Sequence, residues 1–346
     1  MPAMKFRNPA VVVLVAVALL ACPAQAFAGY GHGGSTNGDP KTHTSGESDG
    51  KGNISATAGA VVYDRSNNGS GASVGPVTST TTWTPPACYY APKYSPDQLK
   101  AYLTPIWGVD STGYEWDATQ RDRYVNGKPY KDFNKDKAGK GYWWDSYVTP
   151  GRAGDPGALD CTKEIFWVDT GDAPPADVPQ AITPEILAQL AYNEIRVPST
   201  KVTLAPADGT KVNLPTWAWL DGAEFKPVSV TASVPVLGIS ATTTATPYSL
   251  KIDPGTSDAV TYPASGVCEF RNGSIGEAYA KGKADETPPC GVKYLRSSGT
   301  GSYPLKATIT WKIHWTGTGT ARKDLPDGTF GATQDVVVQE IQSVNR

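Results

Sequence analysis

Residues 307–315 alternate without a break: Ala307, Ile309, Trp311, Ile313 and Trp315 fall on one side, and Thr308, Thr310, Lys312 and His314 on the other. Successive side chains of a strand point to opposite faces, so this run is a strand with one face in a core and His314 turned away from it. Runs of the same character, rich in Val, Thr, Ile and aromatics, occur at 201–204, 212–220, 228–236, 239–245, 248–252 and 333–344, separated by Gly, Pro, Asp or Ser clusters. Seven or eight short strands at that spacing predict a mainly β fold, an antiparallel β-sandwich. The 36 Gly and 29 Pro among 346 residues point the same way. Both types interrupt helices and strand interiors, which disfavours a helical bundle or a doubly wound α/β enzyme.

Two short helices precede the strands. Ser95-Pro96-Asp97-Gln98, followed by Leu99, Tyr102 and Leu103, combines an N-cap, Pro at the first helical position and one apolar face. Thr183-Pro184-Glu185 begins the second, with Ile186, Leu187, Leu190, Ala191 and Ile195 at helical spacing and Val197-Pro198 as its stop.

The N-terminus predicts export. Lys5 and Arg7 precede an apolar run at 11–21, and small residues at Ala24, Ala26 and Ala28 offer cleavage near Ala26 or Ala28. The run is too short to cross a bilayer, which needs about 20 apolar residues. A lipidated N-terminus at Cys22 is the minor alternative, because Leu20 fits a lipobox poorly. Taking Lys5 and Arg7 from the 31 basic residues leaves 29 against 33 acidic ones, a net charge of −4. That balance offers little to a nucleic acid. Residues 29–85 are mostly Gly, Ser, Thr and Asn and predict a disordered spacer, with Val61-Val62-Tyr63 as the apolar exception. Gly71-Ala72-Ser73-Val74-Gly75 has the GxSxG form but lacks the strand and helix a nucleophile elbow needs. His32 and His43 in the same stretch read as solvated.

Residues 86–178 form an aromatic-rich module. Six of the ten Trp and nine of the seventeen Tyr lie from Trp83 to Trp167. As structure, they make a small core from few residues. As function, Trp107, Trp116, Tyr142, Trp143 and Trp144 form an aromatic binding platform. Without the leader four Cys remain, Cys88, Cys161, Cys268 and Cys290, which in an oxidising compartment predict two disulfides. Three connectivities are open, and sequence neighbourhood favours Cys88 with Cys161 and Cys268 with Cys290. The chain thus divides into a leader at 1–28, a spacer at 29–85, the aromatic module at 86–178, and a helix with the sandwich at 179–346.

Catalytic equipment is sparse. His314 is the one His in a folded stretch, and a solvated role suits its polar face. A carbohydrate-active hydrolase needs two carboxylates, and Asp110, Glu115, Asp117 and Asp145 stand among Trp107, Trp116 and Trp144. Asp132-Phe133-Asn134-Lys135-Asp136 begins like a calcium loop, but its sixth position is Lys137 and its twelfth Trp143, so a polar loop is expected there. No metal, cofactor or catalytic residue is assigned.

VNLPTWAWLD (212–221), VTASV (230–234), PCGVKYLRSS (289–298) and the 303–315 run resemble a group of actinobacterial secreted proteins of unknown function. Their C-terminal half resembles a PKD-type (polycystic kidney disease) immunoglobulin-like domain. The resemblance covers roughly residues 180–346, and 88–161 more loosely. It implies a β-sandwich in which the Cys268 to Cys290 segment carries a cross-link. The WDFGDG-like turn of PKD domains is reduced here to Asp253 and Gly255 within LKIDPGTSD (250–258). The expected function is non-catalytic binding, secreted or at the cell surface, of cell-wall glycan or another extracellular protein. A hydrolase and a purely structural envelope protein are the alternatives.

Overall fold

The computed structural model describes residues 61–70, 74–108, 113–198, 201–207, 209–220, 225–271 and 273–341, and the strand pairing of 47–48, 54–55 and 57–58. The leader, its cleavage sites, Cys22, Asp110 and the GxSxG serine lie outside the described residues. The chain runs through β1 (Glu47–Ser48), β2 (Ile54–Ser55), β3 (Thr57–Ala58), β4 (Val61–Asp64), β5 (Val74–Pro76), β6 (Thr78–Ser79), β7 (Cys88–Tyr94), α1 (Pro96–Ile106), α2 (Tyr114–Tyr124), a 3-10 turn (Asp132–Lys137), β8 (Gly141–Val148) and β9 (Phe166–Asp169). It continues through α3 (Pro184–Glu194), β10 (Arg196–Pro198), β11 (Thr203–Ala205), β12 (Thr210–Lys211), β13 (Thr216–Trp219), β14 (Val228–Val234), β15 (Ile239–Asp253) and β16 (Ala259–Tyr262). Last come β17 (Val267–Arg271), β18 (Ser274–Ile275), β19 (Gly291–Tyr294), β20 (Tyr303–Gly317), β21 (Thr320–Val336) and β22 (Val338–Gln339).

The fold is mainly β, and its centre is a large antiparallel sheet ordered β3-β4-β14-β15-β20-β21-β6, with β17 paired onto the second half of β15 and β18 onto β17. The alternation of β20 is observed as expected. Leu305, Ala307, Ile309, Trp311, Ile313 and Trp315 are all buried on one face. A second sheet, β11-β13-β19-β16, contributes Leu204, Ala218, Val292 and Tyr294 to the same core. The disulfide Cys268–Cys290 joins β17 of the large sheet to the residue just ahead of β19 in the small one. Helix α3 packs on β14, β15 and β20 through Leu187, Leu190 and their neighbours, and the buried Thr243 hydroxyl donates to the Ala188 carbonyl at 2.8 Å.

Residues 239–253 form one strand where two runs were expected. The register slips between Pro247 and Ser249, so Tyr248 is an extra, exposed residue. This β-bulge inverts the parity of the strand: Ala241, Thr243 and Ala245 face inward before it, Leu250 and Ile252 after it. A period-two reading breaks at such a point although the strand does not.

Both expected helix starts are present. Ser95 Oγ accepts from Gln98 N at 3.3 Å while Ser95 N donates to Gln98 Oε1 at 2.8 Å, a complete capping box. Thr183 Oγ1 accepts from Ile186 N at 3.2 Å. Thr183→Ala should lower the unfolding free energy by about 1 kcal/mol, read as a reduced guanidinium midpoint. An unchanged midpoint would show that Pro184 and tertiary packing suffice to start α3.

Two expected boundaries move. The spacer to residue 85 is corrected, because folded structure begins by residue 61. β4 pairs with β14, burying Val61 and Tyr63, β5 pairs with β10, and β6 pairs with β21 at the opposite edge of the large sheet. The anchors are polar as well. Arg65 pairs with Glu194 at 2.7 Å, and Asn68 donates to the Glu194 carbonyl and accepts from Arg196 N, each at 2.8 Å. Asn68 therefore satisfies a carbonyl at the end of α3 that the helix leaves open. Nor do separate cores meet at the expected 178/179 boundary. Tyr90 N donates to Gln180 O, Ile182 N donates to Tyr90 O, and Trp144 and Phe166 share a core with Leu187 and Ile195.

Candidate functional site

The three-stranded sheet β7-β8-β9, with α1, α2 and the 3-10 turn, carries the expected platform residues. Trp143 and Trp144 are neighbours on β8 and so point to opposite faces. Both faces are covered. Trp143 is 0% exposed in a small aromatic core with Leu99, Leu103, Trp107, Tyr124 and Phe133, whereas Trp144 is 1% exposed in the main core against Phe166. Trp107 at the C-cap of α1 is 7% exposed, with the Arg121 guanidinium 4.8 Å above its ring. Trp116 packs against the small core and Tyr142 against the main one. The five side chains are thus divided between two cores and present no common face. The platform is corrected to a packing role, because β8 is a wall between two hydrophobic clusters.

Aromatic edges meet aromatic faces in the small core. Trp143 is approached edge-on by Tyr130 at 4.6 Å, Trp167 at 5.3 Å and Tyr124 at 5.4 Å. Burial raises the Tyr124 and Tyr147 hydroxyl pKa values, so both stay protonated.

The carboxylates of the hydrolase alternative have structural partners or positions. Asp145, 3% exposed, accepts from Lys93 Nζ at 2.8 Å and from Ser146 N at 2.7 Å. Glu115 and Asp117 occupy the first turn of α2, where negative charge favours the helix start. The loop from Asp132 to Asp136 is built around Phe133. Asp132, Phe133 and Asn134 have φ of 40°, 56° and 55°, a left-handed turn that non-glycine residues adopt at a cost. Its return is the burial of Phe133, whose ring stacks 5.8 Å from Trp107 and whose carbonyl accepts from Trp143 Nε1 at 3.0 Å. Lys135 pairs with Asp97 and Lys137 with Asp169. The Asp169 carboxyl lies below its usual pKa, first through its hydrogen bond from Trp167 and then through Lys137. Among the described residues no group of three or more His, Cys, Asp or Glu could hold a metal ion.

Both disulfides pair as sequence neighbourhood favoured, Cys88–Cys161 and Cys268–Cys290, which suits an oxidising compartment. Among the described residues no helix is long and apolar enough to cross a membrane.

The surface that sequence reasoning left unused is the outer face of the large sheet. Residues paired across an antiparallel ladder share a face. Ser229, Thr244 and His314 form one row on this side, and Thr231, Thr242 and Thr316 the next. Thr231 and Thr242 hydroxyls meet at 2.8 Å. Further along, Thr310 is paired with Thr329, and the exposed Tyr248 ring lies 4.9 Å from Lys312 Nζ. His314 is held below its ordinary pKa, first by burial and then by Arg322, and is neutral at neutral pH. The polar half of the 307–315 alternation is the sequence signal for this face.

Comparison of the chain with protein families, with curated proteins and with solved structures yields no match.

Proposed function

We propose that this is an exported, non-catalytic binding protein, secreted or held at the cell surface, that meets a neutral hydroxylated polymer such as a cell-wall glycan through the outer face of its large sheet. The observation that carries the reading is the pair of polar rows across β14, β15 and β20, Ser229-Thr244-His314 and Thr231-Thr242-Thr316, with Tyr248 exposed at the bulge further along β15. Hydroxyls at strand spacing offer donors and acceptors without net charge, and an exposed Tyr ring offers an apolar face for a sugar. The two sheets with their connecting disulfide support an immunoglobulin-like sandwich of PKD type as the scaffold.

The test is retention on cell-wall polysaccharide and on peptidoglycan. Thr316→Glu, at the exposed end of the second row, should cut retention severalfold with little change in the melting temperature. Equal retention by wild type and variant would remove this face from the binding surface. No retention of the wild type on either polymer would remove the glycan. Trp143→Ala and Trp144→Ala are unsuitable as binding controls, since both rings are buried.

A further inference from the structure

The connection from β6 to β7 reads Thr78-Ser79-Thr80-Thr81-Thr82-Trp83-Thr84-Pro85-Pro86, the densest hydroxyl run among the described residues. From Thr80 to Pro86 it is neither helix nor strand. Paired prolines keep such a backbone extended and bar it from a ladder. Trp83 pins the segment by packing edge-on to Tyr192 at 5.1 Å, while Thr82 and Thr84 on either side are exposed.

Thr78 is held in the β6–β21 ladder, and the hydroxyls that follow it divide into two sets. Ser79 Oγ and Thr81 Oγ1 lie 3.2 Å apart, Ser79 Oγ accepts from Thr81 N, and Thr81 Oγ1 accepts from Trp83 N. Those two are spent on local turns. The hydroxyls of Thr80, Thr82 and Thr84 make no hydrogen bond among the described residues, and all three residues are exposed. Exposed, irregular Ser/Thr-rich chain with Pro is the composition of O-glycosylated stalks.

We infer that Thr80, Thr82 and Thr84 are acceptors for O-linked hexose, transferred from a phosphate-activated sugar by a glycosyltransferase of the export route. In the transfer, Thr Oγ1 attacks the anomeric carbon and the Oγ1–C1 bond forms. The bond from C1 to the phosphate oxygen breaks, its electron pair leaves with the phosphate, and the hydroxyl proton passes to a base of the transferase. This modification rests on the export reading and is independent of the binding face.

The experiment takes the protein from the surface or culture fluid of the cell that makes it. The tryptic peptide spanning 66–93 is reduced, alkylated and weighed, then fragmented by electron transfer to place any added mass. The expected result is one to three hexose increments confined to Thr80, Thr82 and Thr84, lost when all three are replaced by Ala. Exported protein with an unmodified peptide, or with sugar only at other residues, would overturn this inference and leave export standing. Protein found only inside the cell would overturn export and the inference together.

Discussion

Trp143→Ala should lower the unfolding free energy by about 3–5 kcal/mol, the range for removing a buried large aromatic. The indole is fully enclosed, with three aromatic neighbours edge-on and its N–H given to the Phe133 carbonyl. Each such aromatic pair contributes about 0.5–1.5 kcal/mol beyond area burial. Truncation also leaves the Phe133 carbonyl without its donor inside a left-handed turn that the packing of Phe133 holds in place. The loss should therefore spread to the turn from Asp132 to Lys137 and show as faster amide exchange there. Trp116→Ala, at a half-buried position, should cost less than half as much. Guanidinium unfolding followed by circular dichroism gives both values. A Trp143→Ala variant within about 1 kcal/mol of wild type would mean that the small core can collapse around the void.

What the sequence discloses about this fold depends on how local the physics is. The buried face of β20 was legible because Ala307 to Trp315 keep one period, the extra residues at the register shifts along this run lying on β15 and β21. The starts of α1 and α3 were legible because Ser95 and Thr183 act on backbone groups three residues away. Helix α2 was not, since its buried residues are only Gln120 and Tyr124 and it has no apolar stripe. Strand β4 was hidden for another reason. Val61-Val62-Tyr63 stands in a Gly-, Ser- and Asn-rich stretch, and its stability comes from β14 and from Glu194, partners more than a hundred residues away. The division of Trp143 and Trp144 between two cores follows from strand parity, but that both faces are covered depends on how α1, α2 and α3 pack. Composition placed the aromatics in one segment and could not say which were inside.

Loss of the Cys88–Cys161 bridge, as Cys88→Ala with Cys161→Ala, should cost about 4 kcal/mol, and loss of Cys268–Cys290 about 3 kcal/mol. The order comes from chain entropy. The first bridge closes 73 residues and the second 22, and the entropy withheld from the unfolded chain grows with the logarithm of the loop. Alanine is the right replacement because all four Cys are buried, and a serine hydroxyl there would add an unpaired polar group. The structural consequences should differ more than the energies. Cys88 opens β7 and Cys161 lies in the irregular connection between β8 and β9, so their separation frees one edge of the aromatic module. Cys268 and Cys290 hold two sheets over one core, so their separation should loosen the small sheet while β14, β15 and β20, and the hydroxyl rows on them, stay paired. Glycan retention should then survive the second variant near wild-type level below its unfolding midpoint. Equal midpoints for the two variants would show that the strain or packing of each bridge, rather than loop closure, decides what it contributes.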